Sequence, residues 1–241
     1  MSAITTVGYE REELREEAAL LAKQLDFTLD KEAATCLYVT SNKLALKIPN
    51  FSLLSADFSA STWNKRRSEG KKQGLIRACK PAQGVKILDA TAGWGRDSAI
   101  LASFGAQVVM LERNPLMAAL LSDAILHQNE LDKQKLKVSL YASDARFYLN
   151  NLADMDYPDV IYIDPMHPQR TKSALVKKDM QALQQMIGTD EDALDLIKVA
   201  ISHARQRVVV KWPQKIKPLM VPDSSIEGKT VRFDIYFNKT G

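Results

Sequence analysis

Acidic side chains recur directly after apolar runs in the second half of the chain, at a spacing suited to binding a nucleoside. Asp89 ends one run and is followed by a turn that holds Gly93 and Gly95, and Glu112 ends the next run. Glycines after a strand let the backbone pass close to a ligand, and an acid about 20 residues further on commonly accepts hydrogen bonds from ribose hydroxyls. The pattern predicts a ligand with an adenosine-type ribose.

Two later apolar runs also end in polar side chains. Ser143 and Asp144 follow one of them, where a hydroxyl or an acid can meet an adenine amino group. Asp164 follows the other and opens the segment Asp164-Pro165-Met166-His167-Pro168. Because proline lacks an N–H, neighbouring carbonyls stay available as acceptors. We expect this segment to place a carboxylate and a rigid carbonyl at the mouth of a site.

An alternation of apolar runs and helical stretches, beginning at residue 85, must position these side chains. The runs are rich in Val and Ile, which suits parallel strands covered on both faces. Strict alternation predicts an α/β fold with a doubly wound sheet, which binds ligands at the carboxyl ends of its strands. The predicted strands are 85–92, 106–113, 136–143, 159–164, 206–212 and 231–238, and the predicted helices are 96–104, 115–127, about 144–151 and about 173–205.

The first 80 residues follow a different pattern. Residues 10–27 predict an amphipathic helix, and the short runs 35–40 and 43–48 predict a hairpin that residues 51–58 extend. We therefore interpret residues 1–80 as a small α+β appendage and residues 81–241 as a Rossmann-like domain.

Composition limits the class of protein. The chain has 241 residues, of which 46% are hydrophobic and 26% charged, as in ordinary globular proteins. No apolar run approaches the roughly 18 residues of a membrane span, and the start of the sequence lacks the pattern of a secretory signal. Two widely spaced cysteines and three scattered histidines predict reduced thiols and no metal site. We expect a cytoplasmic protein that does not bind membranes.

Positive charge is concentrated in a short stretch. The net charge is only +4, but residues 65–80 hold seven Lys or Arg and a single Glu, and residues 205–217 hold five basic residues and no acid. Such a concentration favours a polyanionic partner, with a solvated surface as the alternative. The candidate RNA-binding residues are Lys65, Arg66, Arg67, Lys71 and Lys72.

Several segments, taken together, resemble the RsmJ family of methyltransferases that use S-adenosylmethionine (SAM). They are DATAGWGRD, MLERNP, YIDPMHP, SALVKKDM and RVVVKWP, and the resemblance runs from about Leu44 to the closing RFDIYF. It implies a Rossmann-like class I fold, SAM as the cofactor, and methyl transfer to the exocyclic N2 amine of a guanine. The implied partner is 16S ribosomal RNA or the small ribosomal subunit; the resemblance implies no oligomeric state.

Given such a reaction, the chemistry of an amine acceptor leads to a hypothesis for the roles of three residues. Asp164 would accept one N–H of the guanine amine, the Pro165 carbonyl would accept the other, and His167 would pack against the base. The family has Phe where this chain has His167, and the imidazole face is smaller. The SAM contacts that we expect are Asp89, Gly93, Gly95, Arg96, Asp97, Glu112, Arg113, Ser143, Asp144 and Asp164.

Three alternatives remain from the residues alone. A dinucleotide-dependent oxidoreductase would need a third glycine where Ser98 stands. A methyltransferase of small molecules would share the cofactor site but would leave the basic stretches unexplained. A non-catalytic RNA-binding protein would explain the charge but not the acids at four strand ends. Transfer of a methyl group from SAM to ribosomal RNA would separate all three from the preferred function.

Overall fold

The chain folds around two β-sheets, and the structure, a computed structural model, describes residues 4–166 and 192–238. Among these residues, 4–57 and 114–127 form one compact unit with Met166, and 58–113, 128–165 and 192–238 form a second. Each unit has its own sheet.

The described helices and strands are short. None of the described helices combines the length and the apolar composition needed to cross a membrane. The helices are α1 (Arg15–Leu25), α2 (Ala60–Glu69), α3 (Gly74–Cys79), α4 (Arg96–Ser103), α5 (Pro115–Leu126), α6 (Glu130–Lys135), α7 (Ala145–Asn150) and α8 (Ala193–His203). The strands are β1 (Thr6–Tyr9), β2 (Thr28–Leu29), β3 (Cys36–Val39), β4 (Leu44–Lys47), β5 (Lys86–Asp89), β6 (Gln107–Glu112), β7 (Val138–Ala142), β8 (Val160–Ile163), β9 (Arg207–Pro213), β10 (Ser224–Glu227) and β11 (Val231–Phe237).

The first unit contains the predicted hairpin and two strands that the sequence did not reveal. Its sheet has the order β2-β1-β3-β4, in which β3 and β4 pair antiparallel and β1 pairs parallel with both β2 and β3. Residues 51–58 add only the bridge between Leu46 and Leu54. Helix α5 packs on β4, where the Leu44 N–H donates to the Asp123 carboxylate over 2.8 Å.

The second unit confirms the predicted α/β architecture. Its sheet has the order β10-β11-β9-β8-β5-β6-β7, and the five strands β5 to β9 pair parallel with one another. The predicted closing strand is present as β11, but it runs antiparallel to β9. The chain leaves β5 toward β6 and β7 and then returns to its other side at β8. The order therefore reverses at β5, whose carboxyl end is the place where such sheets bind ligands.

Side-chain alternation along the central strands separates core residues from site residues. Leu88, Ile161 and Val208 belong to a buried cluster with Leu149 of α7 and Ile197 of α8. Because neighbouring side chains of a strand point to opposite faces, the intervening positions face the other way. On that face lie Asp89, Tyr162 and Lys211, and all three contact α4.

The basic stretch after residue 58 packs with the large sheet. Helices α2 and α3 contact α4, so the structure groups residues 58–80 with the second unit, whereas the sequence analysis placed them with the preceding residues. The boundary between a 1–80 appendage and an 81–241 domain stays a prediction about which part of the chain folds alone.

Asp89 joins the end of β5 to the first turn of α4. Its carboxylate accepts the Thr91 N–H at 3.2 Å and the Ser98 hydroxyl at 2.5 Å. The residue is only 1% exposed. Burial raises the pKa of the Asp89 carboxyl to about 7, against the opposing effect of the two hydrogen bonds. The folded protein therefore holds a proton that the unfolded chain releases near pH 4.

This retained proton makes stability depend on pH. As pH rises from about 4 to about 7, Asp89 should lower the free energy of unfolding by on the order of 1 kcal/mol per pH unit. Asp89→Asn removes that titration, so its free energy of unfolding, measured in urea at pH 5 and pH 8, should decrease less than that of the unaltered protein. Asp195→Asn on the exposed face of α8 is the control. Identical pH slopes for Asp89→Asn and the unaltered protein would contradict the assignment.

Candidate active site

The turn after β5 has a backbone that requires glycine and leaves space above it. Gly93 and Gly95 have φ values of 54° and 69°, in the left-handed region that favours glycine. A Cβ added at Gly93 would approach only the Thr91 carbonyl oxygen, at 4.0 Å. The glycine is thus needed for conformation, and the open space above it can admit a ligand. Gly95 is the N-cap of α4.

Glu112 connects the end of β6 to this turn. Its Oε2 accepts the Gly93 N–H at 3.0 Å, and only 9% of the residue is exposed. The hydrogen bond fixes the carboxylate beside the glycine turn, where the sequence predicted a ribose-binding acid. The Ser143 N–H donates to the Glu112 carbonyl at 3.1 Å, which brings the end of β7 next to the end of β6.

Asp144 and Arg113 take part in surface interactions next to Glu112. The Asp144 carboxylate caps α7 by accepting the N–H groups of Arg146 and Phe147. Arg113 and Arg146 each lie 2.9 Å from the Asp192 carboxylate at the start of α8. Asp144 therefore has a structural task besides any contact with a ligand.

Asp164 lies just after β8 and is fixed at two points. Its backbone N–H donates to the Thr91 hydroxyl over 2.7 Å, and its Oδ2 accepts the Lys211 ammonium group at 2.6 Å. Pro165, which follows it, is buried. His167 lies outside the described residues.

Lys211 is the main site residue that the sequence analysis missed. Strands β8 and β9 pair parallel with Ile163 beside Val210, so the next positions, Asp164 and Lys211, lie side by side. The Lys211 Nζ also lies 3.1 Å from Asp97 Oδ2 at the start of α4. The available signal was a lysine inside the apolar run VVVKW, where a buried strand rarely holds a charge unless it is paired.

Asp97 completes a group that we call the Lys211 cluster, made of Arg66, Asp97, Tyr162, Asp164 and Lys211. The Arg66 guanidinium lies 2.8 Å from Asp97 Oδ1, and the Tyr162 hydroxyl donates to Asp97 Oδ2 over 2.7 Å. Helix α2 thus supplies a cation to the start of α4.

Electrostatics within the cluster keep its ions charged. Burial alone would raise the pKa of Asp97, but the charges of Lys211 and Arg66 and the Tyr162 hydrogen bond hold it well below its usual range. Burial alone would lower the pKa of Lys211, but Asp97 and Asp164 raise it above its usual range. Lys211 is therefore an ammonium ion at neutral pH, able to donate hydrogen bonds and unable to act as a base.

Two of the residues predicted to bind RNA have partners within the protein. Arg66 contacts Asp97, and the Arg67 Nε donates to the Ser103 carbonyl over 3.0 Å. Lys65 and Lys72 are exposed, and the Lys71 side chain lies outside the described part of the structure. Arg96, the first residue of α4, is also exposed.

The arrangement fits the shape and polar groups of SAM. It offers an open glycine turn, a fixed carboxylate at the end of β6, and polar groups at the ends of β7 and β8. The buried Trp94 indole N–H in the same turn has no partner among the described residues, so it retains a donor. Within the described ranges, no three His, Cys, Asp or Glu side chains are grouped as metal ligands.

Comparisons with known proteins agree with this geometry. The SAM_MT family of SAM-dependent methyltransferases matches residues 20–238. A relative in Legionella pneumophila (strain Lens), named ribosomal RNA small subunit methyltransferase J, is 68% identical over 98% of this chain and 97% of its own length. A relative of the same name in Thioalkalivibrio sulfidiphilus is 38% identical over 96% of each chain.

A solved structure gives the same result for the fold. The crystal structure of a SAM-dependent methyltransferase from Neisseria gonorrhoeae superposes with a TM-score of 0.75 at 27% identity, covering 98% of this chain and 97% of that one. The fold, the strand-end acids and the near-complete coverage agree, so the chain belongs to the SAM-dependent methyltransferase family that includes the ribosomal RNA small subunit methyltransferases J.

Proposed function

We propose that this chain transfers a methyl group from SAM to the exocyclic N2 amine of a guanine in 16S ribosomal RNA of the small subunit. The observation that carries the proposal is the 68% identity, over nearly the full length of both chains, to a relative named for small-subunit ribosomal RNA methylation. The choice of the guanine amine as the methyl acceptor comes from the family resemblance in the Asp164 segment. We place the reaction in the cytoplasm.

The glycine turn and the strand-end acids would hold the cofactor. SAM supplies a methyl group on a sulfonium centre, which needs no metal. The Glu112 carboxylate, already oriented by Gly93, would accept hydrogen bonds from the ribose hydroxyls. Ser143 and Asp144 would face the adenine, and the exposed Arg96 would meet the methionine carboxylate. Asp97 has Arg66, Tyr162 and Lys211 as partners, so its predicted contact with the methionine ammonium group stays a prediction.

Asp164 and Pro165 would orient the amine that accepts the methyl group. The lone pair of that nitrogen is delocalised into the guanine ring, so catalysis consists mainly of alignment, which can contribute roughly 7–11 kcal/mol. The Asp164 carboxylate would accept one N–H and the Pro165 carbonyl the other. These bonds would direct the lone pair toward the methyl group and stabilise the positive charge that develops. The alkylated nitrogen then loses a proton readily, so the site needs no strong base.

The RNA would approach over exposed cations, and the target guanine would leave its stack to reach Asp164. Lys65 and Lys72 are exposed in the basic stretch, and Lys215 and Lys217 are exposed after β9. Their charges would neutralise phosphates without reading sequence.

The reaction is tested by its product. The protein is incubated with labelled SAM and with 16S ribosomal RNA, or small subunits, that lack the modification. Digestion of the RNA to nucleosides should then give labelled N2-methylguanosine. Asp164→Asn should lower kcat about 100-fold or more, because a misoriented amine loses most of the alignment, while the Kd for SAM from calorimetry changes less than about threefold. Label on another nucleoside, or none, would contradict the proposed function.

Two variants serve as controls for Asp164. Glu112→Gln should have the opposite profile, with SAM affinity weakened about 10- to 100-fold by loss of a charge-assisted hydrogen bond. Asp156→Asn, at an exposed position, should match the unaltered protein in both measurements. Near-normal turnover by Asp164→Asn would remove that residue from the chemistry.

The basic stretch is tested by salt dependence. Replacing the exposed Lys65 and Lys72 with Glu should weaken RNA binding and reduce the slope of log affinity against log salt by about 1.5 to 2. Arg66 is left intact because it contacts Asp97. SAM affinity should not change. Lys198→Glu on α8 is the matched control. Equal slopes for the double variant and the unaltered protein would show that these lysines do not contact RNA and are only solvated.

A further inference from the structure

Lys211 lies between two carboxylates that come from different parts of the chain. Its Nζ is 2.6 Å from Asp164 Oδ2, after β8, and 3.1 Å from Asp97 Oδ2, at the start of α4. The side chain is 27% exposed, and the Asp97 side chain 15%. A single ammonium group therefore bridges the proposed amine-binding carboxylate and the helix that begins at the cofactor turn.

The Lys211 cluster contains two carboxylates and two cations, so removing one cation leaves an excess of negative charge. Asp97 and Asp164 share Lys211, and Asp97 also has Arg66. Removing the ammonium group would leave Asp164 and Asp97 facing each other with Arg66 as the remaining described cation in the cluster. Like charges at short range in a poorly solvated place favour protonation of one of them. A protonated or rotated Asp164 would no longer present the same acceptor to an amine.

The backbone and the carboxylate of Asp164 are held by different groups. Its N–H donates to Thr91, which fixes the main chain at the end of β8 but leaves the direction of the carboxylate to side-chain interactions. Lys211 is itself fixed, because it extends from the central strand β9 and donates to Asp97 as well. The 2.6 Å contact with Lys211 therefore holds the Asp164 carboxylate against a cation with little freedom.

We propose that Lys211 is a positioning residue for methyl transfer, whose ammonium group keeps the Asp164 carboxylate ionised and directed at the guanine amine, while Asp97 holds that ammonium group in place. The inference rests on the proposed function, because it takes the task of Asp164 from there. It goes beyond that function by assigning a role to a lysine that acts through Asp164.

The pH dependence of the site involves groups from every element around Lys211. Asp89 on β5 is a buried acid whose pKa is about 7, and it contacts α4 through Ser98. Cys79 on α3 has a pKa raised by burial and by the negative charges of Asp97 and Asp89, so it stays neutral. The other charged or titratable groups are Arg66 on α2, Asp97 on α4, and Tyr162 on β8.

Three substitutions at one position separate charge from packing. Lys211→Gln keeps a hydrogen-bond donor without the charge, Lys211→Met keeps the length of the apolar stem, and Lys211→Arg keeps the charge. Lys198→Met on the exposed face of α8 is the matched control. Thermal unfolding identifies any variant that fails to fold, and Lys211→Gln then carries the test if Lys211→Met does not fold.

The expected result is a loss in kcat that depends on pH. At neutral pH, Lys211→Gln and Lys211→Met should lower kcat about 100-fold and change the KM for RNA less than threefold. The acid limb of their kcat profiles should move to higher pH by at least one unit, so that part of the activity returns at pH 9. Lys211→Arg should stay within about tenfold of the unaltered enzyme at all pH values.

A measurement of stability, which does not depend on enzyme activity, accompanies the kinetics. In the unaltered protein, Asp97 has a lowered pKa, so its contribution to stability is present above about pH 4 and is lost below it. Without Lys211, the folded protein should take up a proton above pH 4. Lys211→Gln should therefore lower the free energy of unfolding, relative to the unaltered protein, by less at pH 5 than at pH 8.

The outcomes distinguish the two proposals. If the unaltered protein methylates no small-subunit RNA, the proposed function fails, and the stability measurement still decides whether Lys211 keeps the carboxylates ionised. A kcat loss that is equal at all pH values and is not reduced by Lys211→Arg would overturn the positioning role. A higher KM for RNA with unchanged kcat would also overturn it and make Lys211 a phosphate contact.

Discussion

The rest of the site depends on one partly buried ion group, in which the Lys211 ammonium ion lies between the carboxylates of Asp97 and Asp164. A charge that has lost part of its hydration is costly when it is isolated, and each of the three is stabilised by the others. The group has a structural consequence as well. It joins strand β9, the end of β8 and the start of α4, which lie at the carboxyl edge of the sheet around the glycine turn.

The same group extends toward the proposed RNA surface. Arg66 reaches Asp97 from helix α2, whose sequence reads as a simple basic stretch. Lys65 and Lys72 are exposed and make up the part of the stretch that we propose contacts phosphates. The basic stretch thus has two parts with different tasks, one that neutralises a buried acid and one that faces solvent. Charge density along a sequence does not distinguish them, because the direction of each side chain depends on helical phase and on the packing of α2 against α4.

Much of the fold could be predicted, because apolar runs rich in Val and Ile specify the strands β5 to β9, and the acids that end them could be placed at one edge. The parallel strands β1 and β2 could not, since four and two residues carry too little periodicity. Lys211 was missed because its importance arises from register, which sets it beside Asp164 only once β8 and β9 are paired. His167 and the predicted helix before residue 192 lie outside the described residues.

The central claim is that Lys211 and Asp97 depend on each other for their charges. A double-mutant cycle of Lys211→Met and Asp97→Asn, with free energies of unfolding from urea titrations at pH 7, measures that dependence directly. The double variant should lose less stability than the sum of the single variants, with a coupling energy of about 1–3 kcal/mol. Additive effects, within about 0.5 kcal/mol, would show that the two side chains act independently and do not stabilise each other's charge.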